Sequence, residues 1–432
     1  MAVARFRTWW TRLALVIVAL GLVSNARGQF KSDEIDQSLR AQGSVVKRYA
    51  ADPNSDASKK PLFENYITKY YIPLMTQAEA NALGELGKLR YELFRQYVWP
   101  ANPAVQTWLN ATLLQRMQDI YQDSAYHPSV RYNALLILGM LDEQYGVAPK
   151  PLAAANKSLV MVLSDGLKNP SASPAVIVGS LIGLERHAKY RAGLPQEAQD
   201  MMAKGFMAVA GREKFPQEMS NSVRNWIRAQ AAGGLAAMGT VGDKGQYHQA
   251  LMKLIDDASL GVENRCEIAG MLPKLQYKAG DPIDGPAAVK SLTQLAVDYG
   301  ADEAKLARKF EDLQIDGGGG LYASGSGGSF KSFQIVNDQL VYPRRRPVGY
   351  LTDLQAGLRA IEPAVPADQQ QVIQALQAAM KPVIDIAVKQ DSLDLDVVNQ
   401  IQTMAEEFNK IAPSAGSKPV EAPEEKETEG LF

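Results

Sequence analysis

A short helical pattern of arginine, alanine and leucine recurs along this chain and constrains its fold more than any other feature. Residues 127–139 read His-Pro-Ser-Val-Arg-Tyr-Asn-Ala-Leu-Leu-Ile-Leu-Gly, so that Arg131 is followed by Ala134 at +3, Leu138 at +7 and Gly139 at +8. A second copy runs over 228–239, from Arg228 through Ala231, Ala232 and Leu235 to Met238-Gly239. A third starts at Arg265, with Ile268, Ala269 and Leu272. A degenerate copy at 174–184 keeps Pro174, Val176, Leu181 and Leu184 but has Ile177 where arginine would stand. The intervals of 46, 51 and 37 residues bracket the ~40-residue period of helical-pair repeats. Alanine at +3 or +4 lets a helix approach its neighbours, leucine at +7 fills the gap, and glycine ends the helix. An arginine near the start of that helix reaches carboxylates or carbonyls between units. No single unit buries its own face, so such units must stack.

Helical spacing extends beyond the copies. Val105, Leu109, Leu113, Met117 and Ile120 form one stripe, and Val289, Leu292, Leu295, Ala296 and Tyr299 a second. A third is Val397, Ile401, Met404, Phe408 and Ile411. Breaks such as Asn169-Pro170, Gly280-Asp281-Pro282 and Glu362-Pro363 separate such stretches, and strand-like alternation is scarce. The expected fold is all-α, an α-α superhelix of stacked helix pairs, with a non-repetitive bundle as the alternative.

Pro128-x-Val130-Arg131-x-x-Ala134 with Leu138-Gly139, and Trp226-Ile227-Arg228 leading to Leu235, resemble HEAT repeats, an armadillo-type helical repeat. The resemblance is to the divergent form in exported bacterial proteins without an assigned activity, and it covers roughly 116–275. It implies a helical-pair solenoid and a habit of binding partners. It implies no catalytic residue, because the pattern is a packing code.

Residues 1–28 have the layout of a secretory signal peptide. Arg5, Arg7 and Arg12 precede an eleven-residue apolar run, Leu13–Val23, and Ala26-Arg27-Gly28 offers a cleavage site. The run is short of the ~20 residues of a spanning helix, so export without a membrane span is expected. Lysine plus arginine (46) nearly cancels aspartate plus glutamate (47). Removing 1–28 takes four arginines and no acid, which moves the net charge from −1 to −5 and argues against nucleic acid as a partner.

Chemistry-bearing residues are few. Cys266 is the only cysteine, and its neighbours Ile268, Ala269, Met271 and Leu272 predict a buried, inert thiol. His127, His187 and His248 have no ligand at i+3 or i+4, which excludes a helical metal pair and predicts surface or capping roles. Ser44-Val45-Val46-Lys47 matches an acyl-transfer spacing by chance, without its companion motifs. The sequons at Asn110 and Asn156 matter only in a glycosylating cell. No catalytic, metal or cofactor-binding residue is assigned.

The remaining organisation is an N-terminal helical region at 29–115, polar and only partly ordered over 29–60, a repeat array at 116–312, and C-terminal helices at 348–412. Between the last two lies an insertion at 313–347. Its Gly-rich stretch DGGGGLYASGSGGS lacks any phosphate-loop ending, and 330–342 has some strand character. Tyr342-Pro343-Arg344-Arg345-Arg346-Pro347 follows. Arg344, Arg345 and Arg346 are the candidate partner-binding residues, a basic arm in an acidic protein. Residues 413–432, with five Glu, two Lys and three Pro, are expected to be a disordered tail. These features give a non-catalytic exported scaffold that binds another protein through its solenoid surface. The alternative is a secreted all-helical toroid acting on polysaccharide, with Tyr66, Tyr70, Tyr71, Trp99 and Trp108 lining a groove and either paired carboxylates or a Tyr/His couple as its chemistry.

Overall fold

A computed structural model describes residues 30–168, 173–215, 219–315, 333–336 and 339–419. The segment expected to be a signal peptide, 1–28, and the Gly-rich stretch at 316–329 lie outside the described residues. The protein is all-α, and among the described residues its strands are two short antiparallel hairpins: β1 (Asp142–Gln144) with β2 (Lys150–Pro151), and β3 (Gln334–Val336) with β4 (Gln339–Val341). The chain divides into two compact units, Met1–Met238 and Gly239–Phe432.

The first unit begins with α1 (Gly43–Ala51), α2 (Lys60–Asn65) and α3 (Ala80–Leu93). The segment over 29–60 is more ordered than its polarity predicts. Asp33 anchors it, accepting from Tyr126 Oη at 2.6 Å and Arg116 Nη2 at 2.6 Å, while its backbone N–H donates to Thr76 Oγ1. Two π-helical turns follow α2 and α3, at Tyr66–Tyr71 and Phe94–Val98. They converge on a tyrosine core in which Tyr66 and Tyr97 hydroxyls lie 3.1 Å apart and Tyr71 donates to the Leu89 carbonyl.

Helix pairs then succeed one another: α4 (Pro103–Gln122) with α5 (Pro128–Leu138), α6 (Ala153–Lys168) with α7 (Pro174–Lys189), and α8 (Gln196–Ala210) with α9 (Asn221–Ala236). Within each pair the helices pack on one another. Between pairs α5 meets α7, α7 meets α9, and α6 meets α8, which is the two-layer stacking of a helical-pair array. All five residues of the Val105–Ile120 stripe are buried.

The second unit contains α10 (Gln246–Ile255), α11 (Val262–Ala269), the long α12 (Gly285–Ile315), α13 (Arg345–Ile361), α14 (Ala367–Ala387) and α15 (Asp394–Ile411). Here the two-layer order gives way: α12 packs against α11, α13, α14 and α15. The apolar stripe of α12 from Val289 to Tyr299 is buried, as is that of α15 apart from its last member, Ile411, which is half-buried. The segment expected to be a disordered tail, 413–432, is structured at its start. Ala412–Ala415 form a 3₁₀ turn, and buried Ser417 donates to the Lys290 carbonyl at 2.9 Å.

The recurrent arginine has one structural job in all three copies. Arg131 Nε donates to the Tyr121 carbonyl at 2.8 Å, Arg228 Nε to Ala210 at 2.9 Å and Arg265 Nε to Ile255 at 2.5 Å. Each acceptor lies at or next to the C-terminus of the preceding helix, where backbone carbonyls lack intrahelical partners and cations are favoured. The arginine thus closes its own helix pair, and in the third copy it bridges to the following helix as well. Arg265 also holds Asp298 at 2.8 Å. Replacing Arg265 with methionine strands that carbonyl and carboxylate and is expected to cost about 2 kcal/mol, read as a lower urea midpoint at an unchanged slope. An unchanged midpoint refutes the capping role.

Gly139 and Gly239 do different work despite equivalent places in the pattern. Gly239 has φ +67°, a left-handed turn after α9. Gly139 is in the right-handed region, and a Cβ there would lie 2.4 Å from Cα of Gly183, so this glycine serves helix approach and not helix termination.

Candidate functional site

The three candidate arginines are not a free arm. Arg344 immediately precedes α13 and its side chain is folded onto the α14–α15 turn, pairing with Asp394 and donating to Ser392 Oγ at 2.7 Å. Arg346 lies in the first turn of α13 and pairs with Glu303, with Asp302 at 2.8 Å and with Glu263 at 3.2 Å. Glu303 has no exposure and also accepts from Tyr342 Oη at 2.6 Å and Tyr299 Oη at 3.1 Å. Burial raises its pKa, and Arg346 opposes that rise. Only Arg345 is exposed, without an ion pair among the described residues. The proline-bounded charge run reads as a free arm in the sequence because the acids that hold it stand 43–50 residues away or, for Glu263, 83.

The histidines also differ from the expected surface or capping roles. His127 does cap α5, its Nδ1 accepting from the Ser129 N–H. His187 and His248 are buried instead, and burial lowers their pKa to about 3 and about 4. His187 Nδ1 lies 3.3 Å from Asn156 Nδ2, while His187 Nε2 and Asn156 Oδ1 have no hydrogen-bond partner among the described residues. Both histidines are therefore uncharged at neutral pH. A base whose folded pKa lies below its unfolded value of 6.5 takes its proton preferentially in the unfolded chain. Their contribution to stability is intact above about pH 6.5 and is lost as pH falls toward the folded values. At pH 5 each histidine is expected to cost about 2 kcal/mol. The urea midpoint should drop between pH 7 and pH 5, and less in His187→Gln; an equal drop in both refutes the assignment.

Asn156 is wholly buried and Asn110 nearly so, donating to the Asp142 carbonyl, so neither sequon is open to a glycosyl donor in the folded chain. Cys266 is buried as predicted, and burial raises its thiol pKa. Among the described residues no group of three His, Cys, Asp or Glu is placed to hold a metal ion.

The aromatics proposed for a sugar groove divide. Tyr66 and Tyr71 belong to the buried tyrosine core and Trp108 packs on Phe63, whereas Trp99 faces outward at 45% exposure. Its neighbour is Tyr91, 54% exposed, with ring centroids 6.2 Å apart in an edge-on arrangement. The Arg95 guanidinium lies 5.8 Å from the Tyr91 ring centroid, which makes a cation–π contact on the same surface. These three residues sit where α3 passes into the π turn, whose inward residues Phe94, Tyr97 and Val98 are buried. Trp99 was legible in the sequence as a candidate aromatic. Tyr91 and Arg95 were not, because helical spacing alone does not distinguish an exposed face from a buried one across a π turn.

In the second unit, Pro273, Gln276, Tyr277, Ala356, Arg359 and Ala360 line an open cleft of about 410 Å³. Tyr277 Oη is 2.8 Å from His248 Nδ1, with the two rings perpendicular. Gln276 has φ 57°, a left-handed conformation uncommon outside glycine.

The fold and these surfaces define a class: an all-α protein whose first unit stacks helix pairs and carries an exposed aromatic–arginine patch, and whose second unit holds an open cleft. No protein-family model, no curated protein and no solved structure matches the chain. No helix among the described residues is long and apolar enough to cross a membrane.

Proposed function

We propose that this chain is an exported, non-catalytic helical-repeat scaffold of HEAT-like kind that holds another protein against its surface. The observation that carries this reading is the Tyr91–Arg95–Trp99 patch. Tyrosine, tryptophan and arginine are the residue types that dominate binding energy at protein interfaces, and here they stand together, outward, on a rigid helical support. Of the three arginines read as partner contacts, Arg345 alone is open for that use.

A photo-crosslinking amino acid at position 95, in the chain from residue 29 onward, tests the reading against envelope proteins of the source cell. One reproducible adduct, lost in Tyr91→Ala/Trp99→Ala, is expected. No adduct, or the same adduct in the double variant, removes it. A second reading, a carbohydrate-active toroid, is favoured by the Tyr277–His248 couple beside the cleft. Polysaccharide turnover that disappears in Tyr277→Phe would replace the scaffold with that enzyme.

A further inference from the structure

The cleft of the second unit has a chemistry the scaffold reading leaves unused. Its polar edge is Arg359. Elsewhere Arg116, Arg186, Arg265, Arg344 and Arg346 each hold a carboxylate, but Arg359 is exposed and its recorded contact is to Gln355 Oε1, at 3.4 Å on the same helix. Lys274 and Lys278, next in sequence to lining residues, likewise have no ion pair among the described residues. That loop carries two acids, Asp281, which accepts from the Lys278 backbone N–H at 2.7 Å, and Asp284, which accepts from the Ala287 backbone N–H at 3.0 Å. Arg359, Lys274 and Lys278 thus outnumber the two loop acids by one around the opening, and both acids are engaged by backbone N–H groups, in a chain whose net charge is negative.

The other walls are apolar or neutral. Ala356 and Ala360, four residues apart on α13, give a low floor, and Pro273 and the Tyr277 ring give the sides. His248 fixes that ring through its hydroxyl, and it cannot serve as a counter-ion because burial keeps it neutral. Gln276 adds an exposed amide whose backbone is held in a left-handed conformation, a cost of order 1 kcal/mol that well-packed positions do not need. A planar guanidinium beside a neutral amide suits a planar carboxylate, with an apolar group lying alongside on alanine and tyrosine.

We infer that this cleft binds the terminal carboxylate of a partner protein whose last residue is apolar. The carboxylate meets Arg359 and Gln276, and the last side chain lies against Tyr277, Pro273 and the alanines. Carboxylate and apolar group stand on one residue only at a chain end, which is why a terminus fits better than an internal acidic side chain. The inference rests on the scaffold reading and names the chemistry of a partner.

The test uses the chain from residue 29 onward and N-acetyl-leucyl-phenylalanine as probe, with binding read by saturation-transfer NMR. Binding in the millimolar range is expected, about tenfold weaker for the C-terminal amide and for Arg359→Gln. Arg359 is exposed, so that variant should melt like the wild type. Equal binding of acid and amide, unchanged binding in Arg359→Gln, or glucuronate bound as tightly as the peptide overturns the assignment. If the peptide fails while the crosslink at position 95 still forms, the cleft assignment falls and the scaffold stands. If the peptide binds and the crosslink is absent, the terminus site stands and the aromatic patch falls.

Discussion

Arg346→Ala is expected to destabilise the second unit by about 3–5 kcal/mol at neutral pH, the cost of leaving one partner of a buried ion pair behind. Glu303 has no exposure, and with Arg346 gone its remaining donors are two tyrosine hydroxyls. Burial already raises the pKa of Glu303, and Arg346 is what restrains it. The variant should therefore keep a proton on Glu303 in its folded state. An acid with a raised folded pKa stabilises the fold below its unfolded pKa and loses that contribution as pH rises through the folded value. The stability deficit of Arg346→Ala should accordingly shrink on acidification from pH 7 toward pH 5, measured as urea midpoints against the wild type. Adding Glu303→Gln should recover much of the loss at neutral pH. A deficit that is flat with pH and insensitive to Glu303→Gln would show that Glu303 is not the stranded group. For function, capture by the Arg344–Arg346 segment is testable only through Arg345, since alanine at the other two positions removes structural contacts as well as charge.

Gly139→Val should be of similar size for a different reason. The would-be Cβ of residue 139 lies 2.4 Å from Cα of Gly183 and 3.4 Å from its carbonyl carbon. Both atoms are backbone and cannot turn aside, so α5 and α7 must separate. Overpacking of this kind costs about 3 kcal/mol or more, equivalent to a melting shift on the order of 10 °C in a unit of this size. Gly84 in α3 is the control, because a Cβ there meets nothing within 4 Å. Gly84→Ala should gain about 0.5–1 kcal/mol by lowering the entropy of the unfolded chain. Equal melting shifts in the two variants would remove the close helix approach as the reason for Gly139.

Much of the fold was legible from residue pattern. The stripes at 105–120 and 289–299, the capping of α5 by His127 and the burial of Cys266 follow from spacing and neighbours, which act over a few residues. The two-layer order of α5, α7 and α9 was foreshadowed by a grammar of small residues and leucine that only makes sense if helices stack. The grammar was silent on α12, where the packing changes to a bundle around one long helix. Polarity misled at 29–60, because Asp33 finds Arg116 and Tyr126 more than 80 residues on. It misled again at Arg344 and Arg346, whose acids lie 43–50 residues away or, for Glu263, 83 residues back. The candidate sites were less legible still. Trp99 could be named, but its pairing with Tyr91 depends on a π turn, and the cleft at Tyr277 joins a loop to a helix about 80 residues further along.

By itself the sequence determined which segments are helical and which face of each is apolar, since both follow from interactions within about four residues along the chain. Tertiary structure decided the use of each charge and each polar ring. An arginine before a proline is a solvated arm or a buried clamp according to the acid that arrives beside it, and a histidine is a cap or a neutral core residue according to what covers it. Those outcomes depend on the local dielectric and on partners supplied from distant segments, and residue spacing encodes neither.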